Sequence, residues 1–132
     1  MKTTRAHAVL KVAATLAVVF GLATIVSGTR VLLGGDAARA AAGAVVPFVL
    51  WFNTTAGLAY VVAGIGLWRR RRWSVTLAVV IAAATVGVFA AFGVHALGGG
   101  AYEVRTVGAM ALRTLVWMAI AAVAWRLVGR GP

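Results

Sequence analysis

At 132 residues the chain is long enough for one domain and no more; with 63% hydrophobic and 11% charged residues, at a mean hydropathy of +1.00, it lacks the polar surface that a water-soluble globule needs. Thirteen Lys/Arg stand against only Asp36 and Glu103, a net charge of +11; the basic residues fall between long apolar runs rather than on one face, which argues against nucleic acid as a partner and suits topology control and anionic membrane lipids. There is no cysteine, so disulfides, iron–sulfur clusters, thiolate zinc sites and thiol redox chemistry are excluded.

A bilayer core takes about 20 apolar residues as helix, each rising about 1.5 Å against about 30 Å. Four segments reach that length, and the pattern predicts spans over 12–33, 44–68, 73–97 and 104–128. The first follows Lys2, Arg5 and Lys11 and could be read as a cleavable signal over residues 1–28. Its apolar run continues past Ser27 to Leu33, beyond a usual h-region of about 7–15 residues, so it is expected to be retained as a span. Gly34, Gly35 and Asp36 open the first connection, Arg69 to Arg72 form the second, and Gly98 to Gly100 form the third. Connections this short make neighbours antiparallel.

Orientation follows from the positive charges. With the N-terminus inside, that side collects Lys2, Arg5, Lys11, Arg69, Arg70, Arg71, Arg72, Arg126 and Arg130, nine of the thirteen. The other side keeps Arg30, Arg39, Arg105, Arg113 and both acids. The positive-inside rule therefore predicts both termini on the cytoplasmic side of an inner (plasma) membrane, with Trp68, Trp73 and Trp125 at that boundary. Arg69, Arg70, Arg71 and Arg72 are candidates for lipid headgroup contact, although a topology signal alone accounts for them.

Helices in lipid associate through close contact between small residues and through polar pairs. The first span offers Ala13, Ala17, Gly21, Thr24 and Gly28. The second offers Ala56, Ala59, Ala63 and Gly66, with Gly57 and Gly64 on an adjoining lane, and the third offers Ala83, Gly87 and Ala91. These read as contact lanes inside one bundle or between protomers. Residues 15–25 (TLAVVFGLATI) and 76–86 (TLAVVIAAATV) are alike, as two parallel helical hairpins would be. Ala/Val-rich spans also resemble one another by chance, and the second and fourth spans align poorly.

Ionisable residues inside a membrane are functional candidates by default. Arg113 lies eight residues beyond Arg105, about 12 Å into its span, where an arginine costs about 2.5–3.5 kcal/mol on insertion scales. Glu103, Thr106, Met110, Arg113 and Trp117 share one face of the fourth span. Asn53 lies at a similar depth on the second, with Tyr60 on its stripe, and His95 lies near the end of the third. The sequence thus predicts an outward-facing cavity lined by Asn53, Tyr60, His95, Glu103, Arg113 and Trp117. Arg113 would hold an anionic or carbonyl group through its planar fork, Asn53 would orient the ligand, and the aromatics would wall it. The competing reading makes Arg113 structural, paired with Glu103 or helix-end carbonyls.

Other chemistries fail on inspection. A bis-histidine haem site needs two histidines at matching depth, and His7 and His95 fall on opposite sides. Small multidrug exporters are alike only in size, since the first span here has no carboxylate. No metal cluster, Ser-His-Asp set, HExxH or phosphate loop is present, and no cofactor is expected. The expected fold is a single all-α transmembrane domain over 1–132, a four-helix antiparallel bundle with both termini inside. The expected role is that of a small, non-enzymatic membrane protein, either an accessory or assembly partner or a binder of a small lipophilic or anionic ligand. It could act as a homo-oligomer or within a larger membrane complex. The alternatives are an oligomeric small transporter or channel, and a membrane enzyme acting on lipid or quinone with His95 and Glu103 as acid and base.

Overall fold

A computed structural model describes residues 2–129, so the Arg130 of the charge argument lies outside the described residues. Those residues form helices α1 (Lys2–Leu33), α2 (Gly35–Ala42), α3 (Pro47–Trp68), α4 (Arg72–Leu97) and α5 (Val104–Ala124), the last continued by a π-helical turn, Trp125–Gly129. No strand occurs among them. Four helices are long and apolar enough to cross a membrane: Thr3–Leu33, Pro47–Trp68, Arg72–Leu97 and Val104–Gly129.

Local chemistry sets the boundaries. Nothing breaks the helix between Lys2 and the first apolar span, so α1 begins about three turns before the stretch that hydropathy marks. It stops where the Gly34 amide closes on the Arg30 carbonyl at 2.8 Å and Gly35 takes a positive φ of 77°. The expected first connection contains α2, whose Asp36 in the first turn and Arg39 in the last both suit the helix dipole. Pro47 opens α3 at a position where its missing N–H leaves no bond unmade, three residues later than the expected start. The turn to α4 passes through Arg70 at φ 57°, with extended Arg71 leading into the helix. Gly98 and Gly99 end α4, and extended Glu103 precedes α5.

The helices alternate in direction. At the end carrying the termini, the Lys11 ammonium lies 5.1 Å above the Trp68 ring and the Arg70 guanidinium donates to the Leu127 carbonyl at 3.1 Å. At the opposite end, hereafter the loop end, Phe48 meets His95 edge-on and Phe92 meets Tyr102. The nearest approach is between α1 and α3. A Cβ at Gly21 would stand 2.7 Å from the Gly57 carbonyl oxygen, and one at Gly64 would stand 2.8 Å from that of Ala14. Only glycine lets these backbones meet so closely. The α1 lane is thus seated against the adjoining Gly57 and Gly64 lane of α3, whereas Gly66, Ala56 and Ala59 of the other expected α3 lane face α4. The expected α4 lane is not seated: Ala83, Gly87 and Ala91 face away from the other helices, and a Cβ at Gly87 would meet nothing. The two hairpins consequently pack differently despite their similar strings.

The half nearer the termini is filled by apolar side chains, among them Leu10, Ala17, Leu67, Ile81, Ile120 and Val128. Four threonine hydroxyls within the spans bond one turn back on their own helix: Thr15 to Lys11, Thr54 to Leu50, Thr85 to Ile81 and Thr114 to Met110, at 2.7–2.8 Å. This self-satisfaction keeps them out of inter-helix chemistry. Thr24 behaves otherwise.

Candidate functional site

Thr24 is buried on α1 and its hydroxyl oxygen accepts from the Arg113 guanidinium of α5 at 3.0 Å. The same Arg113 nitrogen lies 3.4 Å from the hydroxyl of Tyr60 on α3, and the guanidinium carbon stands 5.0 Å from the Phe20 ring centre on α1. Phe20, Tyr60 and Trp117 continue as a row of rings, with centres 5.6 Å and 4.8 Å apart. Three helices therefore converge on one cation, and every group that touches it is neutral. A desolvated ring contact contributes about 2 kcal/mol and hydrogen bonds between membrane helices about 1 kcal/mol each. Together these offset the about 2.5–3.5 kcal/mol needed to place an arginine at the middle of a span.

That set leaves specific atoms without partners. Arg113 Nε, Trp117 Nε1 and Asn53 Oδ1 are all buried and make no hydrogen bond. Two are donors and one is an acceptor. In an apolar surrounding each orphan costs on the order of 1–3 kcal/mol.

Toward the loop end the helices part around a cavity of about 320 Å³. Its polar lining comes from Asn53 on α3, from Thr106 and Arg105 on α5, and from Glu103 at the rim. Ala109 forms its α5 wall, and Arg113 is one turn farther along, about 6 Å. Contacts between the two connections bridge one side of the rim. Glu103 Oε1 accepts from the Ala44 amide at 2.8 Å, and the Arg105 guanidinium donates to the carbonyls of Ala41 and Ala42 at 3.4 and 3.3 Å.

Of the residues expected to share one cavity, Asn53 and Glu103 line it, while Tyr60, Arg113 and Trp117 form the buried cluster and are not part of its lining. His95 stands apart. Its Nε2 is 3.0 Å from the Ala101 carbonyl oxygen, which fastens the α4–α5 connection, and it does not line the cavity. Glu103 engages a backbone amide, so the pairing with Arg113 considered from sequence is replaced by Thr24, Tyr60 and the Phe20 ring. His95 and Glu103 are each bonded to main chain rather than to each other. Sequence reasoning missed Phe20 and assigned Thr24 only to a contact lane; both sit at the depth of Arg113 on the neighbouring helix, a relation visible only once α1 and α3 are paired. Among the described residues no group of three or more His, Cys, Asp or Glu is placed to hold a metal. Arg69, Arg71 and Arg72 are exposed with Arg70 at the opposite end. Comparison with protein-family models, with curated proteins and with solved structures returns no match for this chain.

Proposed function

We propose that this protein is a small multi-pass protein of the inner membrane, a four-helix antiparallel bundle with both termini in the cytoplasm, that binds a small amphiphile through its outward-facing loop end. The ligand carries a carboxylate, phosphate or carbonyl head. It enters between the α1–α3 and α4–α5 connections, its head reaching Arg113 and its apolar part lying in the cavity.

The observation that carries this reading is the guanidinium of Arg113, held within a membrane-length helix by neutral groups alone while its buried Nε has no hydrogen-bond partner. An arginine that served only to join helices would find its best partner in a carboxylate. Of the two carboxylates at this end, Glu103 is engaged at the rim by the Ala44 amide and Asp36 lies in the first turn of α2, outside the long helices. An anionic oxygen would supply the missing charge and the acceptor that Nε and the indole N–H both lack. A donor on the ligand would complement Asn53 Oδ1. The volume of about 320 Å³ lies at the low end of the range of ligand pockets, which suits a small molecule rather than a whole lipid. The apolar half nearer the termini supports binding from one leaflet rather than transport through both.

Native mass spectrometry of protein extracted in mild detergent tests this. The wild type should carry a co-purifying small molecule. Arg113→Leu should lose it while its thermal unfolding in detergent stays cooperative. If Arg113→Leu retains the molecule, or if the wild type carries none and the substitution changes only the melting temperature, Arg113 is a structural residue and the reading fails.

A further inference from the structure

On the outward sides of α1 and α3, near the end with the termini, runs a groove of about 450 Å³. Thr15, Val19, Gly64 and Ile65 line it, and Trp68 and Arg69 stand where it reaches that end. Gly64 makes the groove: without a side chain it brings α3 down onto Ala14 and Val18 of α1 and leaves a channel instead of a ridge. A second recess of about 280 Å³ shares Thr15 and Trp68 and adds Lys11 and Leu16. Thr15 and Trp68, which line both, form the divider between the two apolar recesses, and Lys11 is held against Trp68 by the cation–π contact at 5.1 Å. From Lys11 to Val19 is eight residues, about 12 Å along the helix, nearly the depth of one leaflet of a core about 30 Å thick.

Among the described residues the charged side chains at this end are all basic. Asp36 and Glu103 both belong to the connections at the loop end, so no acidic side chain of the described residues competes for Lys11 or Arg69. Arg70 is already engaged with the Leu127 carbonyl. A recessed apolar surface one leaflet deep, closed at its interfacial end by an ammonium, a guanidinium and an indole, complements a single kind of molecule.

We propose that this groove is a binding site for a diacyl anionic phospholipid, with one acyl chain in each recess, the phosphate between Lys11 and Arg69, and the Trp68 indole at the level of the glycerol. This site is separate from the Arg113 cavity and is independent of what that cavity holds.

The test is native mass spectrometry of the detergent-purified full chain with equal amounts of dioleoylphosphatidylglycerol and dioleoylphosphatidylcholine, whose acyl chains are identical. Each basic residue near an anionic headgroup contributes about fivefold, so the wild type should favour the anionic lipid by roughly 25-fold. The double variant Lys11→Gln/Arg69→Gln should bring the two lipids close to parity. Arg71→Gln, which removes an equal charge nearby, should keep at least four-fifths of the logarithmic preference. Val19→Trp, which fills the groove and leaves both cations in place, should lower retention of both lipids. Water-soluble glycerophosphate should displace neither. Retained selectivity in the double variant, an equal loss in Arg71→Gln, unchanged retention in Val19→Trp, or displacement by glycerophosphate would each overturn the site in favour of diffuse attraction to charge.

Discussion

Because Arg113 is surrounded by neutral acceptors, removing it and stranding it are different perturbations. Thr24→Val deletes the 3.0 Å bond and should destabilise by about 1 kcal/mol, and adding Phe20→Leu should remove about 2 kcal/mol more. In an Arg113→Leu background the same two substitutions should be nearly silent, because no charge is left to strand. A double-mutant cycle read by reversible unfolding in detergent measures this coupling, and strict additivity would show that the three groups do not act together. Asn53 should behave in the opposite way. Its buried Oδ1 has no partner, so Asn53→Leu should stabilise the empty protein by about 1 kcal/mol or more while weakening capture of the co-purifying molecule. A loss of stability would mean that the amide serves the fold. At this scale the sequence was partly legible. Arg113, Tyr60 and Trp117 could be grouped by helical spacing and hydropathy, whereas their contact with Phe20 and Thr24 depends on the register of α1 against α3, which spacing along one helix does not contain. His95 misled because depth was readable and azimuth was not.

The α1–α3 contact is a matter of element geometry. Gly57→Leu would put its Cβ 2.8 Å from Ile25 Cγ1 and 3.0 Å from the Gly21 carbonyl oxygen, forcing the helices apart, and should lower stability by about 2–4 kcal/mol or prevent folding. Gly87→Ala meets open space on α4 and should be neutral, or stabilising by about 0.5–1 kcal/mol through helix propensity alone. Thermal melts of the two variants in one detergent check the contrast; equal effects would show that α1 and α3 are not in glycine contact. Hydropathy marked all four long helices, and the ends at Leu33, Trp68 and Leu97 were legible because glycines or arginines follow. The start of α1 and the whole of α2 were not legible as structure. Both lie outside the apolar window, and Ala-rich GDAARAAA reads equally well as a connection.

For the whole molecule, charge asymmetry is the basis of the proposed orientation, and the absence of cysteine makes that proposal easy to examine. Single cysteines at Ala37 and Ala101, both exposed at the loop end, should react with a membrane-impermeant maleimide applied to intact cells. A cysteine at Thr4, exposed on the first turn of α1, should react only after permeabilisation. The reverse pattern would invert the proposed topology and turn the cavity toward the cytoplasm.

The convergence of Phe20, Thr24 and Tyr60 on Arg113 also bears on how the chain is made. The three acceptors belong to α1 and α3, which leave the ribosome before the helix bearing the guanidinium has been translated. At roughly 5–20 residues per second, the first hairpin has seconds to zip together along its glycines. In order of synthesis the cradle therefore precedes the charge, which allows the guanidinium to meet its three partners as its own helix joins the first hairpin.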